Sequence, residues 1–187
     1  SRLAELFIGG ILKQDIDFPS AHQSLLWDSL GPEDFLLTPL PNHLFQRDNS
    51  AWIYSGVSIN PMARTARKRE LIHSRAIWNF HPTLAVSPEQ IWQGDDDAPH
   101  EPATIEGGDI LTIGNGAIMV GLSERTTAQG ISKLAHSLFA DPAGQTTKII
   151  VVELPRERAF MHLDTAMTMV DRDAFSIYPY LSQDLRS

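Results

Sequence analysis

His162 and Asp164, separated by Leu163, stand at i and i+2. In an extended backbone both side chains leave the chain on the same side. Histidine exchanges a proton near neutral pH, and a carboxylate beside it can hold a cationic substrate. The same two residues could begin a metal site, but no third ligand stands at a recognisable metal-binding spacing. Glu106-Gly107-Gly108-Asp109 is sharper. Two glycines between acids permit an unusual backbone and let a ligand or a neighbouring chain come close; the plain alternative is a turn ahead of a strand. Asp48, Asp109 and Asp164 each precede a segment with strand character. Carboxylates brought together repel, and a guanidinium or amidinium, with its forked N–H donors, is the kind of cation that reconciles them. An aspartate before a strand is also an ordinary turn residue. Arg67 and Arg125 occupy comparable places, each after a hairpin and near a helix start, where two arginines could clamp a carboxylate. Taken singly, either one reads as a solvated helix residue.

These groups need elements to position them, and a strand–strand–helix–strand unit runs through the chain about two and a half times. Residues 50–55 and 57–60 read as the first strand pair, followed by a basic helical stretch over 63–80. The second copy is clearer: strands over 109–113 and 117–122 joined by Gly114-Asn115-Gly116, a helix over 126–139, and a buried-type strand over 148–154. Ile131, Leu134, Ala135 and Leu138 share one face of that helix. A third copy begins with strands over 165–170 and 174–178. Gly114-Asn115-Gly116 lies between strands rather than ahead of a helix, so it reads as a hairpin turn and not a phosphate loop. Before the repeat, residues 3–14 and 22–30 read as short helices, and Pro39 and Pro41 mark a break. The expected division is a helical segment over 1–39 and an α/β domain over 40–187. Residues 94–102 read as an exposed acidic loop. His73, His81 and His100 are expected in loops or at the surface, and the tryptophans in the core.

Composition narrows the function. The 187 residues hold 15 Lys plus Arg against 23 Asp plus Glu, a net charge of -8. Such a balance argues against a non-specific binder of nucleic acid or anionic membrane. No apolar run approaches the roughly 20 residues that span a bilayer. With 42% hydrophobic residues the chain can bury a substantial core. It has no cysteine. Disulfides, thiolate metal sites and a cysteine nucleophile are therefore excluded within these residues. The absence of cysteine and of a secretory signal pattern fits a cytoplasmic setting, and the missing initiator methionine fits a start inside a longer chain or after a processed or cloned end.

The motifs together resemble those of the arginine deiminases. Pro41-Asn42-His43-Leu44-Phe45-Gln46-Arg47-Asp48 is similar to that family's segment of Pro-Asn, Phe and Arg-Asp. Gly56-Val57-Ser58-Ile59-Asn60-Pro61-Met62 and Arg67-Lys68-Arg69-Glu70 follow it. Glu106-Gly107-Gly108-Asp109, Gly121-Leu122-Ser123-Glu124-Arg125-Thr126 and His162-Leu163-Asp164-Thr165 come next, in the family's order. The resemblance covers the chain from about Leu40, and the first forty residues look like the end of the family's helical insertion.

The resemblance implies a mixed α/β fold, part of a five-bladed α/β propeller of the pentein, or guanidino-group-modifying, type. It implies hydrolysis of L-arginine to L-citrulline and ammonia through a covalent cysteine intermediate. Carried over by motif, Asp48 and Asp164 would hold the guanidinium, and Glu106 and His162 would be the acid–base pair. Arg67 and Arg125 would grip the substrate carboxylate, and Asn42 and the backbone near Phe45 would lie around the α-amino end. No metal or organic cofactor is implied. The departure is the missing nucleophile, so this chain alone is expected not to turn over arginine. Self-association, or association with a missing part of the chain, is the expected partnership. The alternatives are another amidine hydrolase or amidinotransferase, and a non-catalytic guanidino-binding or assembly module.

Overall fold

The computed structural model describes residues 2–17, 24–95 and 100–179, which fall into two units, Ser1–Leu44 and Phe45–Ser187. In the first, α1 (Arg2–Gly9) ends where Gly10 takes φ +87°, a left-handed conformation that glycine adopts freely. The expected helix over 3–14 is thus shorter. Its second half is instead β1 (Ile11–Leu12), which pairs antiparallel with β2 (Phe35–Leu37), and a 3-10 turn. Between them lies α2 (Leu25–Ser29), capped by Ser24, whose hydroxyl accepts the Trp27 N–H at 3.1 Å. Lys13 Nζ donates to the Trp27 and Leu30 carbonyls at 2.6 and 2.5 Å, satisfying groups left open at the helix end. Residues 22–23 of the expected second helix lie outside the described residues.

The second unit holds the repeat. The first copy runs α3 (Gln46–Asn49), β3 (Ser50–Ile53), β4 (Gly56–Ile59), α4 (Glu70–Phe80) and β5 (Ile91–Gln93). The second comprises a 3-10 turn at Gly107–Asp109, β6 (Ile110–Gly114), β7 (Ala117–Leu122), α5 (Ala128–Phe139) and β8 (Lys148–Glu153). The third has α6 (Leu163–Ala166), β9 (Met167–Asp171) and β10 (Ala174–Ile177). In both complete copies the hairpin is antiparallel and the strand after the helix joins it in parallel, giving sheets β3-β4-β5 and β6-β7-β8. Among the described residues β10 pairs only with β9.

Each copy begins with a short helical turn that carries an aspartate and leads into its first strand. The sequence pattern placed the aspartates directly before strands, and the short helices α3 and α6 went unread because four residues carry no measurable period. β5 was also missed, since three residues cannot establish an alternation. The basic stretch over 63–80 divides into a 3-10 turn at Thr65–Arg67 and α4. The turn after β6 is as expected, with Gly114, Asn115 and Gly116 all at positive φ. Of the expected acidic loop, residues 96–99 lie outside the described residues. Trp52 is half exposed and meets Trp78 edge-on at 5.4 Å rather than lying in the core.

Two apolar clusters join the copies. Ile53 of the first sheet packs with Ile110, Ile118 and Val120 of the second and with Ile131, Leu134 and Leu138 of α5. Leu111 packs with Leu154, Leu163 and Ala166, which ties the second copy to α6. Burial of these faces by their neighbours brings the three aspartate-bearing turns together. Turn–turn proximity in turn assembles the polar site.

Candidate active site

The short turns converge because buried hydrophobic residues lie immediately beside the polar ones. Leu163 is fully buried between His162 and Asp164, and Ile105 is fully buried before Glu106. The chain is pinned at these positions, so the flanking polar side chains have little freedom. Glu106 Oε2 lies 2.7 Å from His162 Nε2, and both residues are buried. The other carboxylate oxygen of Glu106 accepts the Ala63 N–H at 3.1 Å and stands 3.9 Å from Arg125. The opposite ring nitrogen, His162 Nδ1, lies 3.7 Å from Asp48 Oδ1. Gly108 makes this packing possible: a Cβ there would stand 2.7 Å from the His162 ring atoms Cγ and Nδ1.

The charges in the pair reinforce each other. Burial would raise the Glu106 pKa, but the hydrogen bond and charge of His162, the Ala63 N–H and Arg125 outweigh it and hold the carboxyl below its ordinary value. Burial would lower the His162 pKa, but the Glu106 hydrogen bond and the charges of Asp109, Asp48 and Glu106 raise it. Each charge thus favours the other, which biases this buried pair towards imidazolium and carboxylate.

The two aspartates flanking this pair are bound to arginines of the chain itself. Asp48 Oδ2 accepts from Arg67 Nη1 at 2.6 Å. Arg67 also donates to both oxygens of Glu70, at 2.8 and 2.9 Å, and to the Phe45 carbonyl at 3.1 Å. Its guanidinium is buried, and Glu70 and Asp48 offset that burial and raise its pKa. Asp164 Oδ2 lies 2.9 Å from Arg47 Nε, and Arg47 Nη2 reaches the Ile110 carbonyl at 3.4 Å. Burial raises the Asp164 pKa against the opposing charges of Arg47 and His162, while Asp48 adds to the rise.

Ligand atoms of Asp48, Glu106 and His162 lie within 4.8 Å of one another, close enough for a cation to bridge. Glu106 and His162 already satisfy each other, however, and Arg67 and Arg125 bring positive charge to the same carboxylates. The donor set fits a shared proton and a guanidinium better than a metal ion.

The sequence profile of arginine deiminase matches residues 4–187. The chain belongs to the arginine deiminase family. Its fold is shared by solved structures of low sequence identity. A dimethylarginine dimethylaminohydrolase matches with TM-score 0.54 and 21% identity, over 74% of this chain and 50% of its own. The DDAH of Pseudomonas aeruginosa, solved with citrulline, matches with TM-score 0.51 and 22% identity, over 71% and 46%. An amidinotransferase from Microseira wollei, of the saxitoxin biosynthetic pathway, matches with TM-score 0.52 and 19% identity, over 72% and 42%. These are proteins of the pentein fold, and the mixed α/β repeat described above is part of that fold. The chain spans about half the length of these solved relatives.

Within the second unit the structure gathers Asp48, Glu106, His162 and Asp164, with Arg67 and Arg125 at the same carboxylates. Phe45 contributes its backbone carbonyl, while its ring is half exposed. Asn42 lies in the first unit, in the turn before α3. Arg67 and Arg125 differ sharply. Arg67 is held by Asp48, Glu70 and Phe45, whereas among the described residues the Arg125 side chain makes long ion pairs, 3.9 Å to Glu106 and 3.5 Å to Glu124, and its buried Nε makes no hydrogen bond. Two participants carried no role in the sequence reading, Arg47 and Glu70. Each lay within a quoted motif and could have been found from its neighbour: Arg47 adjoins Asp48, and Glu70 stands at i+3 from Arg67 at the start of α4.

Proposed function

We propose that this chain carries the acid–base and guanidinium-binding part of an amidine-modifying enzyme that hydrolyses L-arginine to L-citrulline and ammonia. The observation that carries the reading is the buried Glu106–His162 pair, 2.7 Å apart, with Asp48 on the far ring nitrogen. A planar guanidinium fits between carboxylates that present paired oxygens. Asp48 and Asp164 supply these, exchanging their present arginine partners for the substrate. Arg125, whose buried Nε makes no hydrogen bond among the described residues, is the cation best able to take the substrate carboxylate; Arg67 joins it only by giving up contacts to Asp48 or Glu70.

The chemistry follows family logic. A thiolate from outside these residues bonds to the guanidinium carbon. The C–N bond to one terminal nitrogen then breaks, and the His162 imidazolium gives that nitrogen its proton so that it leaves as ammonia. Neutral His162, polarised by Glu106, next takes a proton from water as the water oxygen bonds to the same carbon. The C–S bond breaks and restores the thiolate as the hydroxyl proton passes to solvent and the C=O bond of citrulline forms. The charge of Asp48 and Asp164 stabilises the amidinium throughout.

The missing cysteine favours one second reading, a guanidino-binding or assembly module without turnover. Calorimetric titration of the chain with L-arginine and with agmatine, which lacks the carboxylate, tests both. Saturable arginine binding, weaker agmatine binding and loss of both in Asp48→Asn are expected, with no citrulline formed. Equal binding of the two ligands overturns the carboxylate role of Arg125. Citrulline production by the chain alone overturns the need for an outside nucleophile. A longer protein that joins this chain to a cysteine-bearing segment, binds arginine and leaves it intact supports the module. L-Arginine is the proposed small-molecule partner, and a further copy or segment of chain the proposed protein partner.

A further inference from the structure

Asp109 is fully buried, is ionisable, and has no part in the chemistry above. Every one of its bonds comes from a neutral donor. Oδ2 accepts the Ser123 hydroxyl at 2.7 Å and the Thr126 hydroxyl at 2.5 Å, and Oδ1 accepts the Leu163 N–H at 2.8 Å. The donors belong to different segments, and each leads directly to a site residue. Leu163 follows His162. Thr126 Oγ1 accepts the Glu106 N–H at 3.2 Å, and Ser123 Oγ accepts the Arg125 N–H at 3.0 Å. Glu106, Arg125 and His162 come from three places in the chain, and all three backbones are fixed through one carboxylate. β7 leaves room for it with Gly121, where a Cβ would collide with Asp109 Oδ1 and stand 3.0 Å from Leu163 Cβ.

An apolar or amide side chain could fill the same space more cheaply than a buried charge. The retained charge therefore needs a beneficiary. The ionisable groups facing His162 are Glu106, Asp48 and Asp109, with Asp164 in the same field. Arg67, Arg125 and Arg47 balance Asp48, Glu106 and Asp164 respectively. Among the described residues Asp109 is the one of these four carboxylates with no arginine ion pair. The positive charge that acts on it is that of His162, whose neighbour Leu163 donates its N–H to Asp109.

We propose that Asp109 is the positioning residue of the site: it locks Glu106, Arg125 and His162 into register through Ser123, Thr126 and Leu163, and its charge favours the protonated form of His162. Burial pushes the Asp109 carboxyl up to about 6, against the hydroxyl donors, His162 and the Leu163 N–H. The two groups accordingly titrate as a coupled system. The inference rests on the reading of Glu106 and His162 as the acid–base pair, and its test does not depend on arginine binding.

The test is an NMR pH titration of the His162 ring in the full chain, assigned by difference against His162→Gln. The His162 midpoint is expected above the ordinary value of about 6.5, and in Asp109→Asn it is expected to fall towards that value. The Asn carbonyl can still accept the Leu163 N–H, so a purely structural role leaves the midpoint in place. An unchanged midpoint in a folded Asp109→Asn overturns the proposal. Should that variant fail to fold, Ser123→Ala decides. It keeps the carboxylate but removes one donor, so the Arg125 and Thr126 amides should exchange faster and the His162 midpoint should fall by less. No change in either quantity overturns the proposal. A shifted midpoint in a chain that binds no arginine leaves this inference standing and counts against the functional reading alone.

Discussion

The turns that open the three copies of the repeat occupy equivalent places and carry an aspartate each, yet their chemistry diverges. In the flanking copies Asp48 and Asp164 keep some exposure, with side chains 13% and 24% accessible, and each is bound to an arginine. In the middle copy Asp109 is wholly buried and bound by hydroxyls and an amide. Equivalent backbone therefore does not mean equivalent function. The partner decides: an exchangeable cation leaves a carboxylate available to a substrate cation, whereas neutral donors in a sealed pocket turn the same carboxylate into a brace.

The largest effect that would sharpen this contrast lies at the arginine side. Glu70 is fully buried and accepts two bonds from Arg67 and one from Asn49 Nδ2 at 3.3 Å. Truncation takes from a buried guanidinium two of the four hydrogen bonds named above. Glu70→Ala is expected to lose about 3–5 kcal/mol of stability, the usual outcome of breaking one side of a buried pair. Urea unfolding measures it as a lower midpoint at unchanged slope. A loss below about 1 kcal/mol would mean that Asp48 alone suffices to hold Arg67.

A smaller loss is expected at the neutral brace. Thr126→Val keeps the shape but removes the hydroxyl that donates to Asp109 and accepts from Glu106 N–H. Leaving those groups unsatisfied costs about 1–3 kcal/mol, read from the same urea titration. If Thr126→Val costs more than Glu70→Ala, the brace rather than the arginine cluster is the mainstay of the site.

The pH dependence separates the two regions by sign. Glu106 has a lowered folded pKa, so its contribution is present above its unfolded value of 4.5 and is lost as pH falls through the lowered one. His162 has a raised folded pKa, so its contribution is present below 6.5 and is lost as pH rises through the raised value. The pair therefore stabilises most between about 4.5 and 6.5. Asp109 acts oppositely: with a folded pKa of about 6 against 3.8, its ionisation costs stability increasingly across that interval and levels off above it. Each unit of displacement is worth about 1.4 kcal/mol. The stability advantage of wild type over His162→Gln, followed against pH, should peak inside the window and shrink above the His162 midpoint. An advantage that grows with rising pH would reverse the assigned charge state.

Much of this was legible in the sequence, for a physical reason. Alternating and helical periods are visible when an element is long enough to bury one face. That is why β6, β7, β8 and α5, with Leu134 and Leu138 inward, stand close to where the pattern put them. The polar motifs were legible because they match, in order, those of the family to which the chain belongs. What was not legible was partnership across the chain. The i+3 spacing of Arg67 and Glu70 is local, but nothing in the order of residues says that Arg67 also reaches Asp48, or that Asp109 looks inward while Asp48 and Asp164 do not. The partners of Asp109 are set by the packing of Leu163 against Leu111, which brings the Leu163 N–H beside it. Three- and four-residue elements such as β5 and α3 are similarly set by tertiary pairing, not by their own periodicity.

The smallest stability effect is expected at Arg47, and it is informative because it is small. Its guanidinium is more than half exposed, and an ion pair of that kind contributes about 0–1 kcal/mol. Arg47→Ala should leave the urea midpoint nearly unchanged. The Asp164 carboxyl should respond more, because Arg47 opposes the rise that burial imposes on it. Its carbon-13 titration is therefore expected to move to still higher pH in the variant. Such a split is what an exchangeable partner produces: it governs the charge of Asp164 without holding the fold together. A large loss of stability with no shift at Asp164 would instead place Arg47 with Arg67, as a strut. The contrast between Asp164 and Asp109 would then fail, since Asp164 too would be braced and not free to receive a guanidinium from solution.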